Sequence, residues 1–368
     1  MVSRRRSDSK FDFFGKFIPA HTLDFSKDHE VKARYEITSQ FLETYPIKDI
    51  GFEYIVYPEN LSNAKIRLQL QQKSWMEEQL QLYDAKIHYS LHFPSTPDSS
   101  LFLGSYDPEV IKKIEKTFSS CLDLAIKGNI RTIVIHSGGN ITPAQWKNLR
   151  DNFRKKQEAI SRIAKNIINL LGMMRDIGYK GTLAWENMPY PFDIPAFTYT
   201  NIIPDDFNQV FSKINQENVP NIDQLGICHD LCHSWIVKKT ALYFYKIYKE
   251  TGEKLTPPGV FAEEWENFIA QTRMNNFIEQ LNGKIVHTHL AESKGDYTGV
   301  SKPTEGDELG TGELSTSQEV VELFAKIHEQ YPYDKKIIVN LEIKDKDFTN
   351  PKKTARSLMF LGEKFFKN

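Results

Sequence analysis

The chain has 368 residues, of which 40% are hydrophobic and 26% charged, and its formal net charge at pH 7 is −1. This composition is typical of a globular protein, and no run of about 18 apolar residues predicts a membrane span. The balanced charge argues against a uniformly basic nucleic-acid-binding protein, and three cysteines are too few for a disulfide scaffold, which favours a reducing, cytoplasmic setting.

Short apolar runs alternate with longer segments of helical periodicity along the chain. The predicted strands are Gly15–His21, Asp49–Tyr57, Lys86–Phe93, Ile130–His136, Gly181–Asn187, Gln224–Asp230, Lys284–Leu290 and Lys336–Leu341. The predicted helices are Val110–Ile126, Arg154–Ile177, Val237–Lys249, Phe261–Leu281 and Ser317–Gln330. Strands that alternate with helices pair in parallel. Eight such units predict an α/β fold, a (β/α)8 TIM barrel with extended βα loops.

Residues 1–12 are basic and polar and are expected to form a flexible N-terminal lead rather than a signal peptide. No linker interrupts residues 13–368, which are expected to form a single catalytic barrel domain. Three connections are longer than a barrel requires: Asn60–Tyr83, Tyr190–Asn221 and Ser293–Gly312. The second is rich in aromatic residues and prolines, and we expect it to form an ordered lid over the mouth.

Histidines and acidic residues recur at the carboxyl ends of the predicted strands, where barrel enzymes place their chemistry. Seven of the eight strands end in this way, and the residues are His21, His92, His136, Glu186, Asp230, His289 and Glu342, with His233 shortly after Asp230. A single histidine at a strand end is usually a packing residue, but so many titratable groups in one crevice would be costly without a cation. Mixed imidazole and carboxylate ligands suit zinc, manganese or iron. His88 and His287 are expected one pleat below, where they would orient the ligands.

Several motifs resemble the endonuclease IV and xylose isomerase-like superfamily of barrels. The most specific are CHDLCH, which contains Asp230 and His233, and HLAESKG, which begins at His289. WEN at Glu186 and HSGG at His136 follow the same order, and SLHFP and LEIKDKD also resemble the UV damage endonucleases. The likeness spans most of the chain.

This resemblance implies two or three divalent ions, with zinc expected first and manganese or iron as alternatives. His92 and His136 would hold a first ion, and Glu186 would bridge it to a second. The other ligands of the second ion would be Asp230, His289 and Glu342. His233 would be a third-site ligand or a substrate contact. The catalytic groups would be Glu186, Glu342 and His233.

Two departures from the endonuclease IV pattern bear on function. The stretch SKPTEGDELGTG has no histidine to supply the remaining third-site ligands, and the candidates to replace it are Glu305, Asp307 and Glu308. The arginine-bearing loop that wedges into DNA is not recognisable after the second predicted strand.

Two enzymatic functions remain open, beside a metal-binding role without catalysis or an enzyme that acts on an unrelated peptide or cofactor. The first is hydrolysis of a phosphodiester in damaged DNA by water that two ions activate, which the pair His92 and His136 favours. The alternative is a sugar or sugar-phosphate isomerase or epimerase. It would use one ion and a carboxylate that moves a proton, and the near-neutral charge and the missing wedge favour it. The sequence does not indicate an oligomeric state.

Overall fold

A computed structural model describes residues 13–94, 101, 103–105, 107–136, 149–189, 201–252, 265–281, 283–295, 297, 303–332 and 334–366. Eight parallel strands close into a barrel in sequence order, and the last strand pairs with the first. The strands are β1 (Phe17–Leu23), β2 (Asp49–Ile55), β3 (Lys86–His92), β4 (Thr132–Ile135), β5 (Thr182–Glu186), β6 (Leu225–Asp230), β7 (Ile285–Leu290) and β8 (Ile337–Leu341). Each lies within two residues of its predicted bounds, so the predicted (β/α)8 barrel is confirmed.

Helices surround the barrel. They are α1 (Phe13–Lys16), α2 (Asp28–Thr44), α3 (Asn63–Leu80), α4 (Pro108–Lys127), α5 (Leu149–Asp176), α6 (Pro204–Gln216), α7 (Leu231–Thr251), α8 (Trp265–Gln271), α9 (Met274–Gln280), α10 (Gln318–Gln330) and α11 (Lys352–Phe366). None of the helices in the described part of the chain combines the length and hydropathy needed to span a bilayer.

The connection Asn60–Tyr83 is long because α3 occupies most of it. The buried side of α3 includes Gln69 and Lys73, and these polar residues obscure the helical period. Lys73 is buried because its ammonium lies 4.4 Å from the ring centroid of Tyr89 and 2.6 Å from Glu77 Oε1.

The structure bears differently on two other predicted segments. The segment predicted to be a lid includes the crossover helix α6, but its residues 190–200 lie outside the described residues, as do residues 1–12, so the lid stays a prediction. The single predicted helix Phe261–Leu281 is divided into α8 and α9, because Arg273 has an extended backbone with φ −69° and ψ 130°. The division of this helix leaves the barrel itself unchanged.

A buried ion pair joins the first crossover helix to the end of the barrel. Arg34 on α2 lies 3.5 Å from Asp345, and both side chains are almost fully buried. Asp345 also accepts hydrogen bonds from the backbone N–H of Lys353, at 2.9 Å, and from the hydroxyl of Thr354, at 2.6 Å. One carboxylate therefore balances a buried guanidinium and satisfies donors in the first turn of α11.

We expect Asp345→Ala to lower the free energy of unfolding by about 3 kcal/mol or more, because it removes the ion-pair partner of the buried Arg34 guanidinium. Chemical denaturation of the metal-free protein measures this loss. The control is Asp347→Ala, since Asp347 is exposed and bonds Thr349 in its own loop. Equal losses in the two variants would contradict the role of the buried pair.

Candidate metal centre

Glu186 is the last residue of β5, and its carboxylate is fully buried in the mouth of the barrel. One oxygen, Oε2, lies 3.0 Å from His136 Nε2 and 3.4 Å from His92 Nε2. The other oxygen, Oε1, lies 3.3 Å from His289 Nδ1 and 3.5 Å from His233 Nδ1. The carboxylate thus presents each of its two oxygens to a different pair of imidazoles.

Three overlapping groups of candidate ligand atoms in the described part of the chain are compact enough to hold a cation. Glu186, Asp230, His289 and Glu342 offer atoms that all lie within 4.8 Å of one another, and so do His92, Glu186 and His289. In the first group, His289 Nδ1 lies 3.3 Å from Glu342 Oε2 and 3.8 Å from Asp230 Oδ2. The third group is Cys228, His287 and His289. The first two groups share Glu186 and His289, and they bring together five of the predicted ligands.

Several atoms of the cluster are buried without a hydrogen-bond partner of suitable geometry in the described part of the chain. They are His92 Nε2, Glu186 Oε1 and His289 Nδ1. Buried polar atoms are rarely left in this condition, because each costs free energy. A divalent cation among them would coordinate all three, so the donor set fits a metal.

The parallel register places the candidate ligands at one end of the barrel. Asp230 on β6 is paired directly with His289 on β7. The other ligands end or directly follow their strands: His92 on β3, His136 after β4, Glu186 on β5 and Glu342 after β8. Because all the strands run in the same direction, residues that are far apart in the sequence lie together at one end of the barrel.

Asn187 fixes the two residues of the Asp-x-x-His motif. Its side chain accepts a hydrogen bond from the backbone N–H of Asp230 at 2.7 Å and donates to the Asp230 carbonyl at 2.9 Å. Asp230 Oδ1 in turn caps α7 by accepting from the backbone N–H of His233 at 2.7 Å. His233 Nδ1 lies 2.8 Å from the Asn187 carbonyl, so it is the donor there and Nε2 is left for a metal or a substrate.

The charges of the cluster depend on one another. Burial opposes ionisation of Glu186, but His289 and His136 hold the pKa of its carboxyl well below the usual value. Burial likewise lowers the pKa of His92, yet the bond and attraction to Glu186 dominate and raise it to about 9. Burial raises the pKa of Asp230 to about 7. In the metal-free protein, protonated imidazoles therefore supply the positive charge that a cation would otherwise supply.

Glu53, in the middle of β2, belongs to the site although the strand-end pattern did not indicate it. It is fully buried, and its oxygens lie 2.9 Å from His287 Nε2 and 3.1 Å from His289 Nε2. The available signal was an acidic residue inside the apolar run GFEYIVY, at the same phase as Gly51 and Ile55.

Two of the predicted residues lie elsewhere. His21 points outward to α2, with Nε2 2.9 Å from Thr38 Oγ1, because its strand alternates the other way. His88 lies at the opposite end of the barrel, two pleats below His92 rather than one, and its Nε2 is 2.6 Å from Asp49 Oδ1. The predictions that His21 faces the mouth and that His88 orients the ligands were therefore wrong.

The three acidic candidates for the third site divide into two kinds. Glu305 lines the mouth and lies 3.4 Å from Lys344 Nζ. Asp307 is paired with Lys353 at 3.0 Å, and Glu308 is paired with Arg356. Only the first of these candidates is thus directed to the site.

A cavity of about 420 Å³ opens above the ligands. Apolar and aromatic side chains dominate its lining, among them Ile55, Val56, Phe93, Met188, Ile343 and Phe348. Lys344 is the only lysine or arginine among the described residues that line it.

Residues 45–364 match the xylose isomerase-like TIM barrel family, so the chain belongs to that family. No curated protein matches the sequence. A D-tagatose 3-epimerase-like protein is similar in structure, at 17% identity and a TM-score of 0.52 over 95% of this chain and 98% of that chain. D-allulose 3-epimerase from Methylomonas sp., in complex with D-allulose, is 11% identical, with a TM-score of 0.54 over 95% of this chain and 98% of that chain. Endonuclease IV from Thermus thermophilus is 12% identical, with a TM-score of 0.49 over 94% of this chain and 99% of that chain. At these identities the likeness shows the fold alone.

We expect metal affinity to rise as the pH rises through about 7 and on to about 9, the pKa values of Asp230 and His92. A metal must displace the protons that these ligands carry at lower pH, so each proton released makes affinity roughly tenfold stronger per pH unit. Zinc titration calorimetry in buffers of different ionisation enthalpy counts the protons. An affinity that stays constant over this range would contradict the protonated metal-free cluster.

Proposed function

We propose that the chain is a metal-dependent hydrolase that cleaves a phosphodiester at a centre of two ions bridged by Glu186. The observation that carries this proposal is the division of the Glu186 carboxylate between two sets of imidazoles. His92 and His136 would hold the first ion on the Oε2 side. The second ion would be held on the Oε1 side by Asp230, His289 and Glu342. Zinc is our first expectation, and manganese or iron fits the same donors.

The residues of the mouth have separate tasks in this proposal. The bound ions would activate water and neutralise charge on the phosphate. Glu342 is well placed to accept a proton from the attacking water, because it belongs to the ligand group while its side chain is 36% exposed. Burial lowers the pKa of His233, but Asp230 and Glu186 raise it above the usual value overall. A protonated His233, held through Nδ1, would donate from Nε2 to a substrate oxygen.

Damaged DNA is the first substrate class to test, because of the resemblance of CHDLCH and HLAESKG to endonuclease IV. Among the described residues that line the mouth, Lys344 offers a positive charge to a phosphate, beside the ions that the site would hold.

The shape and lining of the cavity favour a second candidate, a sugar or sugar-phosphate epimerase or isomerase. A cavity of about 420 Å³ that is largely apolar suits a small molecule. One ion held by Glu186, Asp230, His289 and Glu342 would polarise a carbonyl, and Glu186 or Glu342 would move the proton on the adjacent carbon. The fold is shared with proteins named as D-tagatose 3-epimerase-like and D-allulose 3-epimerase.

Metal content and nicking of abasic-site duplex DNA, measured together on protein purified without chelator, test the proposal. Two or three ions per chain with metal-dependent nicking would support the hydrolase. One ion per chain without nicking would contradict it and favour the epimerase, which a screen of ketoses and their phosphates would then examine.

Glu186→Gln is expected to lower the hydrolytic rate by at least about 100-fold and to lose at least one ion, because a neutral amide cannot bridge two cations. Elemental analysis and the nicking rate measure both effects, and thermal unfolding checks that the barrel remains folded. The matched control is Glu308→Gln, which removes a mouth-loop carboxylate paired with Arg356 and should keep its ions. Full metal content and rate in Glu186→Gln would overturn the assignment.

His92→Ala separates the two candidate functions. A dinuclear hydrolase should lose one ion and at least about 100-fold of its rate, whereas a mononuclear epimerase should keep its ion and most of its activity. His88→Ala is the control, because this histidine lies on the same strand but pairs with Asp49 at the far end of the barrel. A His92→Ala protein with two ions and an unchanged nicking rate would contradict the proposed first site.

A further inference from the structure

A second buried carboxylate lies directly beside the proposed ligands. Glu53 has no exposed surface, and it accepts hydrogen bonds from the Ser90 hydroxyl at 3.0 Å and from the Asn340 amide at 2.8 Å. Its oxygens also lie 2.9 Å from His287 Nε2 and 3.1 Å from His289 Nε2. Side chains from β3, β7 and β8 thus converge on one residue of β2.

The strand register accounts for this convergence. Glu53 is paired with Ser90 across β2 and β3, and His289 is paired with Asn340 across β7 and β8. His287 lies two residues before His289, so both rings project from the same face of β7. The pairing of the strands therefore holds the Glu53 carboxylate and its neighbouring side chains in place, and their contact does not depend on a loop.

His289 is engaged through both of its ring nitrogens. Nε2 faces Glu53, whereas Nδ1 lies 3.3 Å from both Glu186 Oε1 and Glu342 Oε2. An imidazole that donates its Nε2–H to a carboxylate keeps the Nδ1 lone pair for a metal. The contact with Glu53 therefore determines the tautomer and the ring plane of His289.

We propose that Glu53 is a positioning residue that sets the affinity of the second ion by holding His289 as an Nδ1 ligand. This inference rests on the proposed metal centre. His287 and Asn340 contribute by holding the Glu53 carboxylate in place. The first ion should be much less sensitive, because the contacts of His92 and His136 run to Oε2 of Glu186 and not to the oxygen beside His289.

Zinc affinities of the full chain, measured by competition with a chromophoric chelator, test this proposal. Glu53→Gln preserves the shape of the side chain but replaces one acceptor oxygen with an amide donor. We expect it to weaken the second ion by about 10- to 100-fold and to change the first by less than about threefold. Glu53→Asp keeps the charge and should recover part of the loss.

Ser90→Ala is the matched control, because it removes one donor to Glu53 and leaves the carboxylate beside His289. We expect both affinities to stay within about threefold of wild type. A purely structural role for Glu53 would lower the thermal stability of the metal-free protein in both variants and would leave the affinities unchanged. The comparison therefore separates positioning from stability.

Wild-type affinity for both ions in Glu53→Gln overturns the proposal, and so does an equal loss in Ser90→Ala. If Glu53→Gln does not fold, the decision falls to Glu53→Asp, which must weaken the second ion more than Ser90→Ala does. A wild-type protein that binds one ion would instead overturn the dinuclear centre. The positioning role would then stand only if Glu53→Gln weakened that single ion.

Discussion

The mouth of this barrel is organised around a buried carboxylate whose negative charge must be balanced by neighbouring positive charge. Glu186 has no exposed surface, and an isolated ionised carboxylate in such a place is too costly to be stable. Imidazoles on both of its oxygens balance it in the metal-free protein. The same arrangement creates a need for positive charge that protons or metal ions can meet, and this need is the physical basis of the proposed metal centre.

The charged residues that balance one another are arranged in layers along the barrel axis. Glu53 forms a lower layer with His287, and Glu186, Asp230 and His289 form the layer above, at the ends of their strands. Above these lies the apolar cavity, with Glu305 and Lys344 at its wall. Each layer acts on the next: Glu53 orients His289, His289 stabilises the charge of Glu186, and the ligands face the space where a substrate would bind. Asp230 has two tasks, because it caps α7 and also presents an oxygen to the ligand group.

The fold could be predicted from the sequence, and so could the placement of most candidate ligands at one end of the barrel, because strand ends and chemistry coincide. An apolar run that ends in His136 or Glu186 marks both a strand and the side of the barrel where it finishes. The strand-end pattern gave wrong predictions where the direction of the side chain or its position along the strand decided the outcome. His21 lies one residue out of phase and points to α2, and His88 has the correct phase but lies at the wrong end. Glu53 was missed because it lies inside its strand, where its partners come from three other strands.

The most direct test of the bridged centre is the anomalous difference map of crystals loaded with manganese or zinc. Our interpretation predicts two peaks about 3.5–4 Å apart on either side of the Glu186 carboxylate, one beside His92 and His136 and one beside Asp230 and His289. A single peak among Glu186, Asp230, His289 and Glu342, at full metal loading, would contradict it and would favour an enzyme with one ion.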